Sequence, residues 1–348
     1  MTTRPRLKQD EVDLINEYRG VKEAATEAGI DIKDVKHGWL KTKESSLFFN
    51  NPLFKNKSKL ELEALGKRLI KDLSEFAPVY PRLFRRRKKR EYLLVIDPAD
   101  IHIGKLAESF ETGEDYNNQI AVKRVKEGVQ GILNKAKGFP IEKILFIGGN
   151  DILHIDTPDR KTTKGTSQDT DGMWYSNFLI AKQLYVDILL QLITVADVTF
   201  HFNPSNHDYA TGFFLADVIQ TYFKKNKHIH FDCSIAHRKG YKYGKNLIAT
   251  THGDGAKMND LPLLMAQEQP KMWADTKYRY WYLHHLHHKQ RYKFMSSFDN
   301  VGVTVEFLRS PSGSDAWHYQ KGYTGSIKAV EGFIHNEYGQ IAHLTHIF

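Results

Sequence analysis

The sequence has one cysteine, Cys233, in 348 residues, so no disulfide can close within the chain and no zinc site can be built on paired thiolates. A reducing, cytoplasmic setting is the expectation that goes with this scarcity. No stretch approaches the ~20 consecutive apolar residues of a membrane-spanning helix. The basic start, Met1 to Lys8, also lacks the apolar core of an export signal, so neither membrane insertion nor secretion is expected. Internal repeats and low-complexity tracts are absent. With 41% apolar and 26% charged residues, the composition is that of a folded protein with one large domain and a smaller appendage.

Histidine is plentiful, with 17 residues, and the formal charge is +9. The positive excess is local: residues 1–90 hold 22 Lys and Arg against 13 Asp and Glu, whereas residues 91–348 hold 28 of each. Much of it lies in Arg85, Arg86, Arg87, Lys88, Lys89 and Arg90, a self-repelling run that resists burial. It reads either as a solvated linker or as a phosphate-binding patch. Tyr92 to Ile96 follows as the first buried strand of a new domain, which gives three segments: 1–44, 45–90 and 91–348.

In the first segment, Val12, Leu14, Ile15 and Tyr18 have near-helical spacing, and a second helix from Val21 stops at Gly29. Asp31 is placed to cap a third helix running through Lys41. Ala25, Gly29 and Val35 resemble a helix-turn-helix, in which two helices cross at the alanine and the glycine makes the turn. On that reading Lys33, Lys36, His37 and Lys41 lie on or beside the helix that faces a DNA groove; a small helical packing module is the alternative. Residues 45–82, with a helical patch from Lys59 to Phe76, read as a connector.

From residue 92 onward apolar runs (Tyr92 to Ile96, Ile144 to Ile147, Val198 to Phe202, Leu247 to Thr250, Tyr280 to Leu283) alternate with helical stretches (Gln119 to Lys137, Asn177 to Val195). The alternation predicts a layered α/β domain with its active residues in the loops after strand ends. Polar clusters occupy those places: Asp100-Ile101-His102; Gly148-Gly149-Asn150-Asp151; Asn203-Pro204-Ser205-Asn206-His207-Asp208; Thr251-His252-Gly253-Asp254; and His284-His285-Leu286-His287-His288. A single Asp-x-His is often only a capped turn. Five clusters in order, each after an apolar run, are specific.

This ordered set resembles the calcineurin-like metallophosphoesterases, whose signature is D-x-H, G-D, G-N-H-D, H-G and G-H-x-H. The resemblance covers residues 92 to about 290 and implies a four-layer αββα sandwich holding two divalent metal ions, manganese in the first place, with iron or zinc as alternatives. The basic amino-terminal segment and missing export signal are most similar to phage and bacterial DNA-repair exonucleases. That implies DNA as partner, no membrane, and the cytosol of a bacterium or phage-infected host.

Two cations ~3.5–4 Å apart must share a ligand, and a carboxylate can offer one oxygen to each. Asp151 is the expected bridge. Asp100 and His102 converge on one metal with His287, while Asn206, His252 and His285 complete the other. His207 is the expected proton donor to the leaving oxygen, with Asp208 either orienting it or holding the turn. Three departures stand out. Gly149-Asn150-Asp151 leaves the register open, so that Asn150 could occupy the bridging position; Ser205 and His284 replace glycines. Asp97 reads as structural, His284 and His288 as neighbours rather than substrate contacts, and His154 and Asp156 as contacts to the ligands or the substrate.

The polar segment Thr162 to Gly172 leaves from the site's edge, and Arg160, Lys161 or Lys164 is expected to steer a polyanion. Trp174 and Tyr175 either stack a base or pack a helix. Trp317, His318, Tyr319, Lys321 and Tyr323 are expected to cover the sandwich edge, with substrate placement as the lesser reading. The leading expectation is a two-metal phosphodiesterase acting on DNA. The rivals are a phosphatase or small-nucleotide phosphodiesterase, and a DNA-binding protein whose metal site has decayed.

Overall fold

The computed structural model describes residues 91–285, 297–322 and 325–348 continuously, and before them Lys22, Thr26, Gly29, 37–41, 46–50, 63–71, Tyr80 and Leu83. The chain divides into two units, Met1–Arg68 and Leu69–Phe348.

In the first unit Lys22 and Thr26 are helical and Gly29 turns with φ +69°, where the sequence places the end of a helix. The third helix is corrected. β1 (His37–Lys41) and β2 (Ser46–Asn50) pair antiparallel, with Trp39 opposite Phe48. Gly38 weakens a helix there. His37 and Lys41 therefore sit on a strand, and the hairpin crosses the 44/45 boundary. Lys33, Lys36, Arg85, Arg86, Arg87 and Lys88 lie outside the described residues. Within the helical patch expected from Lys59, residues 63–71 are helical.

The second unit is a four-layer αββα sandwich. One sheet has the order β13-β12-β3-β4-β5-β6, with β3 (Tyr92–Asp97), β4 (Ile141–Gly149), β5 (Asp197–Asn203) and β6 (Ile229–Asp232) parallel. The other has the order β10-β11-β9-β8-β7. There β8 (Asn246–Thr251), β9 (Tyr278–Leu283) and β11 (Val303–Phe307) are parallel, between β7 (Lys239–Tyr243) and β10 (Ser297–Asn300). The continuous apolar runs are what parallel strands covered on both faces require.

Leu93, Val95, Leu145, Ile147 and Phe333 from the first sheet meet Ile248 and Tyr282 from the second, forming the inner core. The outer face of the second sheet packs through Ala249, Trp281 and Val305 against Leu261 and Met265. Those two residues lie on α5 (Leu261–Glu268), which is followed by α6 (Pro270–Asp275). The other helices are α1 (Ser109–Thr112), α2 (Asn118–Lys135), α3 (Trp174–Leu192), α4 (Tyr209–Tyr222) and α7 (Ala316–Gln320). α2 lies against β12 (Ala329–Asn336) and β13 (Gly339–Ile347). This approach needs glycine: a Cβ on Gly128 would come within 2.5 Å of Val330, and one on Gly131 within 1.9 Å of His346.

His335 on β12 is fully buried beside the Tyr282 hydroxyl, 3.0 Å from Nε2. Burial pushes its pKa down to about 3. Because the folded value lies below the unfolded one (~6.5), the unfolded chain binds the extra proton, and stability is lost as pH falls from ~6.5 toward 3. The expected loss from this group is on the order of 3–5 kcal/mol, and His335→Leu should flatten that part of a urea-unfolding profile. An unchanged profile in the variant would remove His335 from the acid response.

Candidate metal centre

Five loops leave the carboxyl ends of β3, β4, β5, β8 and β9. In each sheet these strands are parallel neighbours, and the His285 N–H on Asp100 (3.1 Å) and His252 Nε2 beside Asp151 (3.2 Å) bring the two sets of ends together, where open α/β sheets place ligands. The first two loops run side by side, with the Asp100 N–H on the Asn150 carbonyl (2.8 Å) and the His102 N–H on the Asp151 carbonyl (2.9 Å). Asp100, His102, Asn150, Asp151 and His285 all have positive φ, between 50° and 71°. Non-glycine residues in that region are strained, and such strain gathers at functional sites.

The loops bring together Asp100, His102, Asp151, Asn206, His207, His252 and His285. Asp151 belongs to two groups of closely set donor atoms, one with Asp100 and His102 and the other with His252 and His285. Its Oδ1 accepts the His207 N–H at 3.0 Å, while its buried Oδ2 makes no hydrogen bond. Asn150, the alternative for the shared position, joins neither group, and its side-chain amide makes no hydrogen bond. Asp100 accepts the His285 N–H at 3.1 Å. His287 and His288 lie outside the described residues.

His252 Nε2 faces three acceptor-capable atoms: Asn206 Oδ1 at 2.8 Å, His285 Nδ1 at 3.2 Å and Asp151 Oδ2 at 3.2 Å. One ring N–H can serve only one of them. Lone pairs crowded onto one point, beside a buried carboxylate oxygen without a hydrogen bond, suit a cation better than a proton. The mixture of carboxylate, imidazole and amide fits manganese, iron or zinc.

Electrostatics carry the same tension. Burial raises Asp100 to about 6, reinforced by Asp151 and opposed by His252. Burial also works against the Asp151 charge, yet His252 and His207 more than offset it and hold the carboxyl well below the usual range. Burial disfavours a charged His252, but Asp151 and Asp100 overcome this and lift it to about 9.

His207 differs from the expectation in its support. Its Nδ1 lies 2.9 Å from the His154 carbonyl, which can only accept, so Nδ1 carries the proton and Nε2 is the nitrogen left for chemistry. Asp208 does not orient it. The Asp208 carboxyl takes the Ser205 hydroxyl at 2.6 Å and the Leu153 N–H at 2.8 Å, and Ser205 Oγ in turn accepts the Asp151 N–H at 2.7 Å. The serine that replaces glycine thus ties the Asp151 backbone to a buried carboxyl, whose pKa burial lifts to about 8 with Asp151 adding to the effect. Asp208→Ala should lower stability by about 2–4 kcal/mol by stranding a buried N–H and a hydroxyl. A variant with wild-type urea resistance would mean these bonds are replaced.

The remaining expected residues fall into place around the centre. His284 is buried, with Nε2 2.9 Å from the buried Asp97 Oδ1. His154 sits with His102 and His207, its Nδ1 3.3 Å from His102 Nδ1. Asp156 accepts the Ala210 and Thr211 N–H groups at 3.0 and 2.8 Å, capping α4. Lys164 is exposed and borders a cleft of about 990 Å³ that reaches His207 and His285. Tyr175 is exposed on the first turn of α3. Two features escaped the sequence reading: buried Lys105, and the weight of Trp317 and Tyr319, which border the same cleft. The DIHIGK order put Lys105 near the ligands but gave no sign that it is buried.

No protein-family model and no curated protein matches the chain. Among solved structures it is similar to a single-mutant Vps29 from Entamoeba histolytica, at 14% identity and TM-score 0.34, over 73% of this chain and 99% of that one. It is also similar to Vps29 from Chaetomium thermophilum, at 10% identity and TM-score 0.31, over 74% and 98% of the two chains.

Proposed function

We propose that the chain is a calcineurin-like metallophosphoesterase that hydrolyses phosphodiester bonds in DNA, of the kind seen in phage and bacterial DNA-repair exonucleases, acting in the cytosol. The observation that carries this reading is the placement of Asp151 in both donor groups. Asp100 and His102 would hold one cation and Asn206, His252 and His285 the other, with Asp151 between them and His287 as the expected further ligand. When bound, a pair of divalent cations supplies Lewis acidity to the phosphoryl oxygens and lowers the pKa of water. The chain's residues then position and protonate: the His154 carbonyl would hold the His207 ring through Nδ1–H, and the ring, carrying a proton on both nitrogens before the step, would give its Nε2 proton to the departing oxygen and be left as the neutral Nδ1–H tautomer.

DNA as substrate rests on the basic amino-terminal quarter. Lys33, Lys36, Lys41 and the run from Arg85 to Lys88 would add affinity by releasing counterions, and Lys164 would guide the strand at the cleft. The cleft itself supports a second reading. Its described lining sets Lys164 among Glu111, Asp169 and Asp315, a net acidic wall that draws in a long polyanion poorly and so suits a phosphatase or small-nucleotide phosphodiesterase, whose single phosphate needs only the metal centre. Among the described residues no helix is long and apolar enough to cross a membrane.

The test is full-length protein with Mn²⁺ against labelled single-stranded, double-stranded and circular DNA, with bis-p-nitrophenyl phosphate as control. Cleavage of DNA, abolished by EDTA, is the expected result. Turnover of the small diester alone would favour the second reading. Metal-independent DNA retention with no turnover of either substrate would sink both in favour of a DNA-binding protein.

A further inference from the structure

Trp317 and Tyr319 stand on α7 with 55% and 53% of their surface in water, and both border the cleft that reaches His207 and His285. Beside α7 lies α1, whose Phe110 is fully exposed. Trp317, whose ring meets His318 edge-on with centroids 5.1 Å apart, and Tyr319 thus present half-exposed aromatic surface at one opening, an apolar rim of the kind that marks a binding surface.

The rim is held with unusual investment. α7 has five residues, none of them buried, and a helix this short has no stability of its own. Asp315 supplies it, accepting the His318 N–H at 2.9 Å and lying 2.6 Å from its ring Nδ1. The other Asp315 oxygen is 3.0 Å from Lys105 Nζ, which also donates to the Gly313 carbonyl at 2.7 Å. Lys105 is 1% exposed, and an ammonium so placed is tolerated only when fully paired. It follows His102 by three residues, and Ser310 Oγ donates to the Asp100 carbonyl at 2.8 Å. The loop that carries the ligands and the wall that carries the aromatics are therefore fastened to one another.

We propose that Trp317 and Tyr319 form a stacking face for a nucleobase next to the phosphate bound at the metal centre, so that the substrate is a base-bearing phosphoester. This rests on the phosphoesterase reading for the phosphate position. Stacking on an aromatic ring accepts any base. Gln168 and Gln320 border the same cleft, and their amides can meet base edges without demanding one base. An aliphatic or sugar phosphate would leave the rings wet.

The experiment compares a 5′-phosphorylated deoxydinucleotide, its internal link a non-hydrolysable methylenephosphonate, with the same molecule lacking both bases, by calorimetric titration of the full chain with Mn²⁺. The base-bearing ligand should bind about tenfold or more tightly. Trp317→Ala and Tyr319→Ala should each cut that preference by about five- to hundredfold, with affinity for the base-free ligand unchanged and Trp317→Phe retaining most of the preference. Equal affinity for the two ligands, or a preference that survives both alanine substitutions, overturns the proposal. Preference without DNA cleavage would remove the hydrolase reading and leave the stacking face standing; cleavage without preference would do the reverse.

Discussion

Asp151→Asn is expected to empty at least one of the two cation positions and to lower turnover of bis-p-nitrophenyl phosphate by on the order of 10³-fold or more, the equivalent of several kcal/mol of lost charge stabilisation. The substitution is nearly isosteric. The amide oxygen can still accept the His207 N–H that Oδ1 accepts at 3.0 Å, so the loop keeps its shape while the negative charge disappears. The unbonded Oδ2 is the atom that matters: a charged oxygen there can serve a cation shared by both donor groups, and an amide cannot replace it. Elemental analysis after dialysis against Mn²⁺ reads the result directly. Thermal unfolding gives a second measure, since a ligand at a hundred times its dissociation constant stabilises the fold by about 2.7 kcal/mol, and the variant should lose much of that gain. A variant that keeps both ions would move the bridging role away from Asp151.

His207→Ala should behave in the opposite way. Metal content at the two positions that share Asp151 is expected to match the wild type, because His207 groups with His102 and His154 rather than with Asp151, while catalysis falls by about 10²–10⁴-fold, the usual share of a positioned acid or base. The loss should depend on the leaving group. A deoxyribose oxygen departs as a strongly basic alkoxide and needs the proton; p-nitrophenolate departs readily without it. The deficit should therefore be large on DNA and much smaller on bis-p-nitrophenyl phosphate. Equal deficits on both substrates would assign His207 to phosphate binding rather than to proton delivery.

The sandwich was legible where burial is continuous. Tyr92 to Ile96 and Leu247 to Thr250 are apolar without alternation because both faces are covered, and they appear as β3 and β8. The ligand loops were legible because each follows such a run. Residues 37–41 were not, since an aspartate cap and a lysine-rich stretch look helical, whereas the backbone pairs His37–Lys41 with Ser46–Asn50 in a hairpin. The role of Asp208 was hidden for a related reason: a carboxylate beside a histidine in sequence suggests a pair, but its partners are Ser205 and Leu153. His284 with Asp97, and Lys105 with Asp315, join residues 187 and 210 positions apart, and periodicity carries no trace of such pairs. The sequence reading placed no hairpin over residues 329–347, where the β12–β13 ladder forms and His335 is brought into the core.

The order of strands in the first sheet has a consequence for the protein's birth. β3 carries Asp100 and His102 just beyond its end, yet its antiparallel neighbour is β12, made more than 230 residues later, with Glu331 opposite Asp97. A ribosome-bound chain that has already synthesised the donor residues from Asp100 to His285 still lacks the strand that pairs with β3 on that side. Closing that edge is a long-range pairing step, so the candidate metal centre is expected to be completed late in folding.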